Sequence, residues 1–135
     1  MIYRVAVFKR VGRQMVFEKF AYEGFQILPN GKLYRGKVAC NTNDRRGRKY
    51  YEIHRKLPRP DRLGQDIYEH DIIFDARFNA LCTVLWRDYA FVLAHRQRGF
   101  TVQFKFADFR QESVEIVGNE YTNELRQIVA HGMKK

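Results

Sequence analysis

The residues that could do chemistry crowd into one tract. Between Arg45 and Arg62 stand Arg45, Arg46, Arg48, Lys49, Arg55, Lys56, Arg59 and Arg62, eight positive charges against Glu52 and Asp61, with Tyr50 and Tyr51 among them. Guanidinium and ammonium groups contact phosphates, and aromatic rings offer bases a stacking surface. A tract that interleaves the two carries what single-strand or RNA binding needs. The candidate nucleic-acid-binding residues are Arg45, Arg46, Arg48, Lys49, Tyr50, Tyr51, Arg55, Lys56 and Arg59. The same composition also suits a solvated connector whose tyrosines pack onto a neighbouring domain. Clustering favours binding, because dispersed charge serves solubility alone. A looser set, Arg87, Arg96, Arg98, Lys105 and Arg110, falls at strand ends and turns.

Other chemistry has less material. Asp66, Glu69 and Asp71 could divide acid and base roles, but carboxylates at the start of a strand more often accept backbone N–H bonds and fix a turn. His70 lies between Glu69 and Asp71, yet neighbours on a strand point to opposite faces, so the three do not converge on a metal. His54, His95 and His131 are scattered among charged residues, and Ser113 is the only serine. Glycine-rich phosphate loops, metalloprotease helices and nucleophile elbows are missing from the sequence. The expectation is a binding protein and no enzyme, with neither cofactor nor metal.

Bulk properties agree. Lys+Arg 25 against Asp+Glu 15 gives a formal net charge of +10 over 135 residues and a pI of about 9.9, which attracts polyanions. The partner is therefore expected to be nucleic acid or, alternatively, an acidic protein surface. Eleven Phe and eight Tyr are enough to build a core. Cys40 and Cys82 lack metal-site or disulfide spacing and read as free thiols in a reducing compartment. No apolar run approaches the ~20 residues of a membrane-spanning helix and no leader opens the chain, so a cytoplasmic protein is expected.

The elements that must position the basic tract are short strands. Ile2–Phe8 and Met15–Tyr22 flank a turn at Arg10–Arg13. Phe25–Leu28 and Leu33–Tyr34 flank Pro29-Asn30-Gly31-Lys32, where Asn-Gly predicts a type I′ hairpin. Val38–Cys40 is a further strand. Residues 41–62 read as a basic loop or arm, broken by Pro58 and Pro60, with Tyr50–Ile53 docked as a short strand. Beyond it, Ala80–Trp86, Tyr89–Ala94 after a turn at Arg87-Asp88, Phe100–Phe106 and Val114–Val117 are strands, the third with an aromatic inner face. Asp108–Glu112 is a turn, and residues 123–130 form a short helix capped by Thr122. The fold class expected is mainly β: N-terminal hairpin strands over residues 1–40, a connector over 41–62, and over 63–135 an SH3-like β-barrel (about Gln65–Val117) with the C-terminal helix.

Two blocks carry a family resemblance. Asp61–Ile73, with its Ile67-Tyr68-Glu69-His70-Asp71-Ile72 core, and Val114–Leu125, reading Glu-Ile-Val-Gly-Asn-Glu-Tyr-Thr-Asn-Glu-Leu after its first residue, resemble the YopX family of phage and prophage proteins, with Val84 and Trp86 at similar spacing between them. A weaker similarity covers Tyr3-Arg4-Val5 through Phe17. Leu57-Pro58-Arg59-Pro60 departs from the family's Thr-Gly-Leu turn, and His70 stands where Gly is usual. Glycine takes φ > 0 freely and histidine only with strain. The resemblance implies a small β fold, a phage or prophage origin and a bacterial host cytoplasm, and it transfers no catalytic residue.

Overall fold

The computed structural model describes residues 2–95, 101–103 and 109–122. The expected C-terminal helix at 123–130, the aromatic positions Phe100, Phe104 and Phe106, and Arg96, Arg98, Lys105 and His131 lie outside them. The protein is mainly β. Its described strands are β1 (Tyr3–Val11), β2 (Gln14–Ala21), β3 (Gln26–Ile27), β4 (Leu33–Arg35), β5 (Val38–Ala39), β6 (Lys49–Arg55), β7 (Asp71–Asp75), β8 (Ala80–Arg87), β9 (Ala90–His95), β10 (Thr101–Gln103) and β11 (Val114–Asn119). The only helical turn among the described residues is the 3-10 turn Gln111–Ser113.

The chain forms two compact units, Met1–Arg55 and Lys56–Lys135. In the first, β2, β1 and β6 make an antiparallel sheet with β1 in the centre, and β3, β4 and β5 make a smaller one. Val5 and Val7 point to one face and pack with Tyr51 and Leu33, ringed by Tyr3, Ala21, Phe25, Ile27, Cys40 and Ile53. Arg4, Ala6 and Phe8 point to the other, opposite His54, Glu52 and Tyr50 of β6. A bulge in β2 leaves Glu18 unpaired between Phe17, opposite Phe8, and Lys19, opposite Val7. That extra residue puts Phe17 and Phe20 on one face, with ring centroids 4.8 Å apart.

Two expectations for this unit are corrected. The short strand expected at Tyr50–Ile53 is present but longer, a seven-residue strand paired with β1 from Tyr3↔Arg55 to Lys9↔Lys49, so residues 49–55 of the expected connector belong to the sheet. The hairpin at Asn30-Gly31 exists, but its turn is not type I′. Within this turn Gly31 alone has φ > 0 (+86°), its N–H donates to the Leu28 carbonyl (2.8 Å), and the Lys32 N–H donates to Asn30 Oδ1 (2.9 Å). Pro29 is the cause: its ring holds φ near −65°, which suits the first central position of a type I turn followed by a left-handed glycine.

In the second unit the strand order is β10-β9-β8-β7-β11, antiparallel throughout. Every residue of β7 is buried. Ile73 enters a core with Leu57, Ile67, Cys82, Val84, Phe109 and Val114, and Ile72 and Phe74 pack with Val117 and Leu81 on the opposite side. Burying each such side chain contributes roughly 1.5–3 kcal/mol. The expected barrel does not close among the described residues. The outer edge of β11 is occupied by a turn instead: Arg62 N–H donates to the Val114 carbonyl (2.8 Å) and Ile116 N–H to Asp61 Oδ2 (3.1 Å). With those groups satisfied, the edge offers no ladder for another strand.

The β8–β9 turn also sits one residue later than expected, at Asp88-Tyr89, with φ +52° and +63°. The resulting register places Trp86 against Phe91, edge to face at 4.8 Å, and leaves Tyr89 93% exposed. Among the described residues no helix is long and apolar enough to cross a membrane.

Candidate nucleic-acid interface

The basic loop between β5 and β6 is built around two side chains that the sequence reading passed over. Asn41 is the inner strut. Its amide Nδ2 donates to the carbonyls of Asp44 (2.6 Å) and Lys49 (2.9 Å), and its Oδ1 accepts from the N–H groups of Asn43 and Asp44 (3.3 and 3.0 Å). Gly47 lies so close that a Cβ there would meet Asn41 Nδ2 at 2.9 Å. Arg10, at the end of β1, is the outer strut. Its Nε donates to the Gly47 carbonyl (3.0 Å), its Nη2 to the Arg45 carbonyl (2.6 Å), and its backbone N–H to the Arg48 carbonyl (2.9 Å). Arginine suits this task because its planar fork can address two acceptors at once. The loop is thus tied on both sides, and its carbonyls are consumed inward.

What the loop presents outward is charge. Arg46 has 94% of its side chain exposed, and Arg48 and Lys49 are exposed too. Asp44 reaches Arg46 Nε at 3.5 Å and accepts the Arg46 N–H at 2.9 Å, and that backbone bond above all holds its carboxyl below the usual range. Arg45 is the exception. Its guanidinium pairs with Glu52 (2.7 Å) and lies 4.8 Å from the Tyr50 ring centroid, and contact with Tyr50 first and Glu52 second raises its pKa. Glu52 also receives His54 Nε2 (3.2 Å), whose Nδ1 accepts from Arg4 Nε (3.2 Å).

The nine expected site residues are not brought together as a set. Arg45, Arg46, Arg48, Lys49 and Tyr50 share one end of the first unit's sheet. Tyr51 is withdrawn into the core, 9% exposed, with the Phe25 ring 5.7 Å away. Arg55 is at the far end of β6, about 20 Å along the strand from Lys49. Lys56 and Arg59 belong to the second unit, where Lys56 faces Asp66 at 3.9 Å and Arg59 lies 5.6 Å from the Phe109 ring. The broader charge pattern compensates. The first unit holds 13 Lys+Arg against 4 Asp+Glu, a net +9, and the second 12 against 11, a net +1.

The acidic corner does structural work. Asp71 Oδ2 accepts the Tyr68 N–H (2.9 Å). His70 takes φ +71°, a left-handed conformation that strains a residue with a side chain. Its backbone is fixed by the Val84 carbonyl (2.6 Å) and the Glu120 N–H (2.9 Å), and its Nδ1 pairs with the Glu120 carboxylate. Asp61, fully buried, is the larger omission of the sequence reading. Its Oδ1 accepts from Leu63 and Gln65 N–H (both 2.9 Å) while Oδ2 holds β11.

No protein-family model matches the chain, and no curated protein is significantly similar to it. The resemblance to the YopX family therefore rests on its two sequence blocks.

Proposed function

We propose that this chain is a non-enzymatic binding protein that contacts nucleic acid through the basic loop of its first unit, Arg45–Lys49. The observation that carries the reading is the concentration of charge: a net +9 in 55 residues, with Arg46, Arg48 and Lys49 exposed on a loop that Arg10 and Asn41 hold in one shape. A fixed set of cations loses little conformational entropy when phosphates arrive, and each phosphate neutralised releases counterions. A phage or prophage product working in a bacterial cytoplasm is the setting that the YopX resemblance suggests.

Charge reversal of Arg46, Arg48 and Lys49 to Glu tests it, since these side chains are exposed and Arg45, tied to Glu52, is left in place. Nucleic-acid affinity should fall by tenfold or more, roughly the effect of losing a few phosphate contacts. Unchanged affinity would sink the proposal. Capture from a bacterial lysate with and without nuclease separates the alternative, because an acidic protein partner would stay bound after nuclease treatment.

A further inference from the structure

We infer that the ligand of this loop is duplex nucleic acid gripped by its phosphate backbone, and not a single strand. The inference rests on the nucleic-acid reading above and narrows it to one substrate class.

The tyrosines decide. A single-strand binder needs aromatic faces beside its cations, because stacking supplies ~1–3 kcal/mol per base. Residues 41–49 contain no aromatic residue. Tyr51 is spent in the core against Phe25. Tyr50 is half-buried, its ring 5.5 Å from Phe8 on the sheet and 4.8 Å from the Arg45 guanidinium. Phe17, half-buried on the same face of the sheet, is likewise packed between rings, 5.7 Å from Phe8 and 4.8 Å from Phe20. Tyr22, the exposed aromatic described in the first unit, follows the end of β2 that pairs with Val5, whereas the loop adjoins Lys9 and Arg10. At about 3.3 Å per residue the two ends lie some 15 Å apart.

What remains at the loop is cation alone: three exposed side chains within four consecutive residues, on a backbone held by Arg10. Such a group gains most from the densest array of phosphates. A duplex offers about one charge per 1.7 Å of axis from its two strands, and its bases are already stacked on one another. A single strand has fewer charges within reach and gains less from half-buried rings that already pack on one another.

Fluorescence anisotropy on the full chain tests this, with four probes of equal length: a DNA duplex, an RNA duplex of the same sequence, oligo-dT and oligo-rU. At least one duplex should bind about tenfold more tightly than its single-stranded counterpart, with a logarithmic salt slope near −0.9 per phosphate contacted. Preference for the DNA or the RNA duplex identifies the helix geometry that fits, and either supports the inference. The Arg46→Gln, Arg48→Gln, Lys49→Gln triple variant should flatten the slope by about 2–3, and Tyr50→Leu should leave duplex affinity within about twofold because no stack is lost. Single strands bound as tightly as duplexes, with the triple variant still weakened, would overturn the inference and keep the nucleic-acid reading. No binding to any probe would overturn both.

Discussion

The two units carry almost the same number of cations, 13 and 12, but very different numbers of acids, 4 and 11. In the second, acids match bases nearly one for one, and several of the described acids lie inside. Asp61, Asp71, Asp75 and Glu115 are all buried. Asp75 takes both Arg77 N–H and its guanidinium, and Glu115 takes Arg62 at 2.8 and 2.9 Å. In the first unit four acids face 13 bases, and two of the four, Asp44 and Glu52, hold the loop or its arginine. Among the described residues, the second unit thus builds several of its charges into the fold, whereas the first leaves Arg46, Arg48 and Lys49 to solvent. A net charge quoted for the whole chain hides this division, and only the unmatched part can attract a polyanion from solution.

The sharpest way to break that contrast is at Asp61. Asp61→Ala would remove the fully buried carboxylate that accepts from the N–H groups of Leu63, Gln65 and Ile116 and ties the turn to β11. A loss of about 3 kcal/mol or more is expected. Trp86, the only tryptophan, lies in this unit, so its fluorescence reads the loss in denaturant. A change below about 1 kcal/mol would mean that the turn at 61–65 does not secure β11.

Somewhat smaller is the effect at Cys82. Burial, and next the charge of Asp75, push its thiol from the ordinary 9.0 up to about 11. Between those values the unfolded chain has released the proton and the folded chain retains it. Stability from this group is complete below pH 9 and is lost as pH rises toward 11, on the order of 2 kcal/mol in all. Other groups titrate in the same range, so the measurement is the slope of stability against pH in the native chain compared with Cys82→Ala. Parallel slopes would contradict it.

The fold was legible where one principle governed a segment, and it was lost where contacts spanned the sequence. Alternation located β1, β2 and β8, and turn chemistry located the hairpin at Asn30-Gly31. The strand β6 was legible only over Tyr50–Ile53 because it is covered on both faces: Tyr51 and His54 are buried on opposite sides, so no clean alternation marked its full length, and flanking arginines made its ends look like connector. The barrel was expected because nothing local shows that Asp61 meets Ile116, 55 residues away. The site was legible as composition, since Arg45–Lys49 is a basic cluster on any reading. Its tyrosines were misjudged because strand parity sends Tyr51 to the core, and Arg10 was missed because its two carbonyl partners lie 35 and 37 residues on.

The first unit is best probed through Arg10. Arg10→Lys keeps the charge but cannot span the carbonyls of Arg45 and Gly47 together. Nucleic-acid affinity should drop roughly three- to tenfold, the size of an ordering cost returned to binding, with the salt slope unchanged. A shallower slope would show Arg10 itself touching phosphate. Unaltered affinity would show that the loop works without being held.

The smallest expected effect lies at the Asp88-Tyr89 turn. Both residues have φ > 0, which aspartate tolerates and tyrosine resists, and Tyr89 is 93% exposed, so burial contributes almost nothing to offset the strain. Asp-Gly is the pairing such a two-residue hairpin prefers. Replacing Tyr89 with Gly relieves the left-handed strain but also gives the unfolded chain more freedom, and the two effects oppose each other. The balance expected is a gain of about 0.5 kcal/mol in Trp86-monitored stability, with nucleic-acid affinity unmoved because the turn belongs to the unit whose charges are matched. Destabilisation would mean that the exposed ring contributes to the hairpin, and a loss of affinity would extend the binding surface beyond the first unit.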